Sequence, residues 1–119
     1  VVEVGETRVK FRVYSGEGFA ELEGLVDAGA TFTKIPRSAA SRIGLQAKYT
    51  AEVMLGEGRT VTRELALGEV EIEGVRRPVP VAIGGDEEIP VIGCTTLEIL
   101  GFKVNPVTGK LERTPAIEL

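Results

Sequence analysis

The sequence contains no histidine and no tryptophan, and cysteine and methionine occur once each. Without histidine, Ser-His-Asp and Cys-His nucleophilic machinery has no base within the chain, and zinc sites built on imidazole are excluded. A single Cys, Cys94, can form neither an internal disulfide nor a thiolate cluster. A fold without such staples suits a reducing compartment, and the expected localisation is cytoplasmic. Aspartate is scarce: of 18 acidic residues only Asp27 and Asp86 are Asp, the rest being Glu. The formal charge of −4 and pI near 5.0 argue against a nucleic-acid partner, which usually meets a basic stripe. Arg76-Arg77 is the only adjacent basic pair and reads as a solvated hairpin end. No apolar run approaches the ~18 residues of a membrane span, and no signal-peptide pattern opens the chain, so no membrane partner is expected. The first residue is Val1, which is compatible with loss of an initiator Met or a longer leader. Chemistry must come from carboxylates, hydroxyls, Lys or Arg.

What is present is mostly alternation. The 119 residues suffice for one modest core, and residues 1–119 are read as a single domain. Apolar residues fall at every second position in Arg8–Val13, which describes a strand with one face on a core. Ser15-Gly16-Glu17-Gly18 reads as a turn, and Phe19–Val26 as the returning strand with Leu22 inward and Glu21 and Glu23 outward. Alternation resumes at Glu69–Glu73, turns at Gly74 and continues through Val79–Ile83. Pro78 and Pro80 lack backbone donors, so this strand is expected at a sheet edge or interrupted there. Two segments read as short helices: Pro36–Ile43, ended by Gly44, and Thr95–Leu100, opened by a hydroxyl cap and ended by Gly101. Asn105–Leu111 reads as a further hairpin. The expected class is mainly β with two short helices. A faint repeat links the helices: Leu25–Gly29 precedes the first and Val91–Gly93 the second, and each helix closes on a Gly and an apolar residue, Gly44-Leu45 and Gly101-Phe102.

Asp27 ends an apolar strand and is followed by Ala28, Gly29 and Ala30. One reading is a turn Asp, hydrogen-bonded to its own backbone two residues on. The other is a functional carboxylate. Apolar flanks would leave it partly desolvated and raise its pKa, and Gly29 would allow close approach of a backbone or substrate. The residues alone leave both open.

Leu25-Val26-Asp27-Ala28-Gly29-Ala30-Thr31 resembles the active-site segment of retropepsin-like aspartic proteases, apolar-apolar-Asp-Thr/Ser-Gly-Ala/Ser. Val91-Ile92-Gly93, followed by a short helix, resembles their second signature. Met54-Leu55-Gly56-Glu57-Gly58-Arg59-Thr60-Val61 stands where such proteins carry a Gly-tipped flap. The resemblance runs from about Val9 to Asn105, and the Phe32–Leu45 stretch looks most like the microbial single-lobe members. It implies a closed β-barrel and a symmetric homodimer, with peptide or protein as the substrate and no metal or cofactor. Catalysis in the family needs two facing aspartates, and Asp86, in a polar turn, is a poor second candidate. Asp27 and its symmetry mate would therefore share one proton and activate a water against the scissile peptide bond. Ala30 and Thr31 complete the active-site loop. Met54, Leu55, Gly56, Glu57 and Gly58 would close over the peptide, and Val91, Ile92 and Gly93 would support the loop from behind. Terminal strands in the family often pair across the dimer, a role open to Leu111–Leu119.

Two positions depart from the pattern. Ala28 replaces the family's Thr or Ser, whose hydroxyl bonds across the dimer, a loss of ~1 kcal/mol per bond. This keeps open an alternative function, a weak or inactive dimeric peptide-binding or scaffold module on the same fold. An unrelated β-barrel interaction domain with Asp27 as a plain turn residue is a third reading. Cys94 stands where viral members place Arg. With no His or basic cluster to form a thiolate, it reads as a small buried core residue rather than a nucleophile. Gly84-Gly85 reads as a hairpin turn, Lys34 as solvated, and Glu69, Glu71 and Glu73 as one wet strand face.

Overall fold

The computed structural model describes residues 6–16 and 18–119. Glu17 in the first turn and Val1 at the start of the chain lie outside the described residues. The Arg8–Val13 alternation lies within β1 (Arg8–Ser15), which returns as β2 (Gly18–Asp27) in antiparallel register, Phe11 opposite Leu22. Phe11, Val13, Ala20 and Val26 are buried while Glu21 and Glu23 are exposed, the one-faced pattern that a period of two gives. Next come β3 (Thr33–Pro36), α1 (Arg37–Arg42), β4 (Tyr49–Met54), β5 (Thr60–Ile72) and β6 (Val75–Gly84). The chain ends with β7 (Val91–Gly93), α2 (Cys94–Leu100), β8 (Phe102–Val104) and β9 (Leu111–Arg113).

Among the described residues, six strands close into a barrel in the order β1-β2-β7-β3-β6-β5, because β1 pairs with β5 as well as with β2. β4 hangs outside the ring, paired with β5 alone. Ile35, Val70, Ile72, Val81 and Ile92 fill the interior, with Leu97 and Leu100 of α2 and Ala39 and Ala40 of α1 packed into the same cluster. Burial of such side chains, at roughly 1.5–3 kcal/mol each, is what holds a fold that has no disulfide. No helix among the described residues is long and apolar enough to cross a membrane.

Several expectations need correction. The edge expected at Pro78 and Pro80 is a local one: β6 as a whole lies between β3 and β5, but one side of it is open at the two prolines. Both prolines are tolerated because β3 reaches β6 only from Val81 onward, leaving them with β5 as sole neighbour. The Gly84-Gly85 turn is no hairpin, since the strands it joins, β6 and β7, lie on either side of β3. Its Asp86 turns toward α1, accepting a hydrogen bond from the Ser38 amide at 2.8 Å. Pro36 caps α1 from an extended conformation instead of lying within its first turn. Glu73 leaves the Glu row: it occupies the β5–β6 turn with φ 49°, while Glu69 and Glu71 pair with Arg76 and the Tyr14 hydroxyl. β9 pairs with β8 of its own chain along one edge, which leaves the expected pairing of Leu111–Leu119 across a dimer untouched.

Candidate active site

Asp27 is set by register. β2 and β7 run parallel, with Val26 opposite Ile92 and Asp27 opposite Gly93. Val26 and Ile92 point into the core, so the next residue along β2 projects from the other side of the pleat, and Asp27 is exposed. The desolvation expected from its apolar flanks is therefore not supplied by its own chain, because those neighbours face inward. The chain then turns sharply: the Gly29 amide donates to Asp27 Oδ1 at 2.9 Å and the Ala30 amide to the Asp27 carbonyl at 3.0 Å. This is the local bond of a turn Asp, yet it occupies one carboxylate oxygen only. A Cβ at position 29 would lie 3.3 Å from that oxygen, so a side chain there would crowd the carboxylate.

The loop is braced from behind by α2. The Cys94 and Thr95 amides donate to the carbonyls of Ala30 and Thr31 at 2.6 and 3.1 Å. Helix N-termini leave such amides without internal partners, and here the loop's main chain supplies the acceptors. That corrects the expected hydroxyl cap: α2 starts at Cys94 with Gly93 in the cap position and no side-chain cap bond. A Cβ at Gly93 would stand 2.5 Å from the Phe32 carbonyl, so only glycine permits this approach. Beneath it, the buried Thr33 hydroxyl accepts from the Gly93 amide at 3.1 Å and lies 2.6 Å from the Thr96 hydroxyl. Thr33 and Thr96 were not singled out by sequence reasoning. The signal available was polar residues at inward positions, Thr33 two before Ile35 and Thr96 beside Leu97.

Above the loop stands the β4–β5 hairpin. Its tip is tightened by the Leu55 amide donating to the Arg59 carbonyl and the Gly58 amide to the Leu55 carbonyl, both at 2.8 Å, with Gly58 at φ 91°. Between loop and hairpin lies a cleft of about 730 Å³. Of the residues singled out from sequence, Asp27, Gly29, Ala30, Thr31, Met54, Leu55, Gly56 and Val91 line it. Glu57 and Gly58 are exposed at the tip and do not line the cleft, and Ile92 and Gly93 are buried. Two cleft residues are cations. Lys34, expected to be solvated, has a side chain only 23% exposed and donates to Glu88 Oε1 at 2.9 Å. Arg63 grips the same carboxylate at 2.7 and 3.0 Å. With Arg63, the Gly85 amide and Lys34 all donating to it, the Glu88 carboxyl is held far below the ordinary value of 4.5, at about 2.

Ala28 faces elsewhere. It lines a second groove of about 750 Å³ with Cys94, Ile99, Val104, Pro115 and Ile117, a mainly apolar surface on which Ile99 and Ile117 are exposed. Cys94 is not the core residue expected, because its place at the helix start leaves it half-buried on this groove. Burial and the neighbouring Glu98 carboxylate push its thiol pKa up, which disfavours a nucleophilic thiolate. Among the described residues, no three His, Cys, Asp or Glu side chains gather to hold a metal ion.

A family model described as aspartyl protease matches residues 9–107, a span that includes the Asp27 loop, the hairpin and α2. No curated protein matches the sequence.

Proposed function

Because the chain belongs to the aspartyl protease family, we propose that it is an endopeptidase working as a symmetric homodimer, with Asp27 of each protomer contributing half of the site. The position of Asp27 carries the reading: an exposed carboxylate that lines a cleft of about 730 Å³ together with the β4–β5 hairpin, on a loop held by the amides of α2. The other Asp, Asp86, is engaged at α1 and cannot serve as its partner, so the second carboxylate must come from a second chain. Dimerisation would also remove Asp27 from water, the desolvation that its own chain does not provide. The apolar groove beside Ala28, adjoining the Asp27 loop and carrying residues 115–117, is the surface suited to that contact.

Two carboxylates at contact distance share one proton. The ionised member takes a proton from a water held between them, and the protonated member donates its own to the carbonyl oxygen of the scissile bond. The water oxygen adds to the carbonyl carbon to give a tetrahedral diol. Proton transfer to the amide nitrogen then lets the C–N bond break. The β4–β5 hairpin acts as a flap. An extended peptide beneath it receives main-chain hydrogen bonds and is shielded from solvent.

One residue favours a second reading, a dimeric peptide-binding module with little hydrolysis: Ala28 lacks the hydroxyl that the resemblance places at the dimer contact. Digestion of a peptide library at acidic and neutral pH, with the unaltered protein and Asp27→Asn side by side, separates the two. Cleavage that disappears in the variant while its oligomeric state is kept supports the protease. Peptide binding without cleavage in either protein selects the module.

A further inference from the structure

We propose that Lys34 and Arg63 form a subsite in the cleft for an acidic side chain, Asp or Glu, of the bound peptide. The proposal rests on the reading of the cleft as a peptide site. Lys34 lies in β3 with Val91 on one side and Ala82 on the other, and all three line the cleft. Arg63 lies in β5 opposite Ala51, and both line the cleft. One cation thus comes from β3 and one from β5, and both reach Glu88, which does not itself line the cleft.

Charge and hydrogen-bond capacity decide what this arrangement offers a ligand. Glu88 accepts from Lys34, twice from Arg63 and once from the Gly85 amide at 2.8 Å, which fills the four lone-pair sites of a carboxylate. It can take no further donor, and it cancels one of the two cations. The Lys34–Arg63–Glu88 cluster is left with one surplus positive charge and with unused N–H donors on both cationic side chains. Lys34 and Arg63 are only 23% and 17% exposed, so that charge is partly stripped of water, which strengthens its pull on an anion. A structural ion pair would need one cation; the second is surplus to it. Backbone packing keeps the arrangement in place. A Cβ at Gly84 would lie 2.9 Å from Lys34 Cδ, so the glycine makes room for the lysine stem on its way to Glu88. Of the other acids that line the cleft, Glu52 is exposed on β4, opposite Thr62, and Asp27 lies at the loop; neither makes a bond to Lys34 or Arg63. Ala51, Ala82 and Val91 supply an apolar lining for the methylene stem of an incoming Glu.

The test uses a pooled random-sequence peptide library in two arms. In the first, the unaltered protein digests the library and the cleaved positions are read by mass spectrometry. Acidic residues should be favoured over their amides by about tenfold at one fixed position from the cut, the effect of one charge-assisted contact. Lys34→Met and Arg63→Met should each reduce that ratio toward one, while Lys34→Arg, which keeps the charge, should retain most of it. In the second arm, immobilised Asp27→Asn protein captures peptides without turning them over, and the bound pool should show the same acidic enrichment. Cleavage with no acidic preference overturns the subsite, as does a preference that survives in Lys34→Met and Arg63→Met. Acidic enrichment in the capture arm without any cleavage by the unaltered protein keeps the subsite and discards the hydrolytic reading. Absence of both cleavage and capture overturns the two together.

Discussion

Thr33 joins the two chain segments that matter most to the site. Its hydroxyl serves Gly93 of β7 and Thr96 of α2 from a fully buried position in β3. Thr33→Val keeps the shape but leaves the Gly93 amide and the Thr96 hydroxyl without a partner, at a cost of about 2–3 kcal/mol. Chemical denaturation should register this loss, and Thr96→Val added to Thr33→Val should cost less than the sum of the two single changes, because the pair acts as a unit. Ala28 makes the opposite case. It is exposed on the groove, so Ala28→Thr adds a hydroxyl without disturbing the core. With one new bond from each protomer, the proposed dimer should tighten by roughly tenfold or more in sedimentation equilibrium, and hydrolysis at low protein concentration should rise. An unchanged dissociation constant would remove the cross-dimer account of this position.

At the level of strands and helices, Glu88 links β3 through Lys34, β5 through Arg63 and its own turn through Gly85. Its folded pKa is depressed, so the unfolded chain binds the proton more readily and the carboxylate stabilises the fold above its ordinary value. Glu88→Gln should therefore lower stability by about 2 kcal/mol at neutral pH. In thermal unfolding, the gap between the two proteins should start to close below about pH 4.5 and be gone below about pH 2. None of this linkage is readable from the sequence, since Lys34 and Arg63 lie 54 and 25 residues from Glu88 and only the closed barrel brings them together. The long strands are readable because each buries one face, and Phe11, Val13, Val70 and Ile72 display the period. β3, four residues long, is too short for a period to show, yet it carries Thr33 and Lys34. The start of α2 misleads for a physical reason: Thr95 looks like a cap, but the loop carbonyls of Ala30 and Thr31 already fill that role. The Asp27 loop itself is legible, because its conformation depends on adjacent residues, Asp27 and Gly29.

For the molecule as a whole, each chain brings half of the proposed site, so specific activity should depend on concentration. Dilution through the dimer dissociation constant measured by sedimentation should lower turnover per chain steeply, and mixing with an excess of Asp27→Asn protein should lower it further by forming one-Asp dimers. Activity that stays proportional to protein concentration across that range would contradict the shared site. The two halves of a single chain are joined differently. Where the first motif meets the second, the amides of Cys94 and Thr95 donate to the carbonyls of Ala30 and Thr31. A contact written in main-chain atoms does not depend on which side chain is carried. The bracing itself therefore survives substitution at 30, 31, 94 and 95, except by proline at 94 or 95, which would delete a donor, and what limits those positions is the cleft and groove they line. Position 93 has no such freedom. Lineages of this fold can accordingly change the face they turn to substrate or partner while the loop behind it keeps its shape.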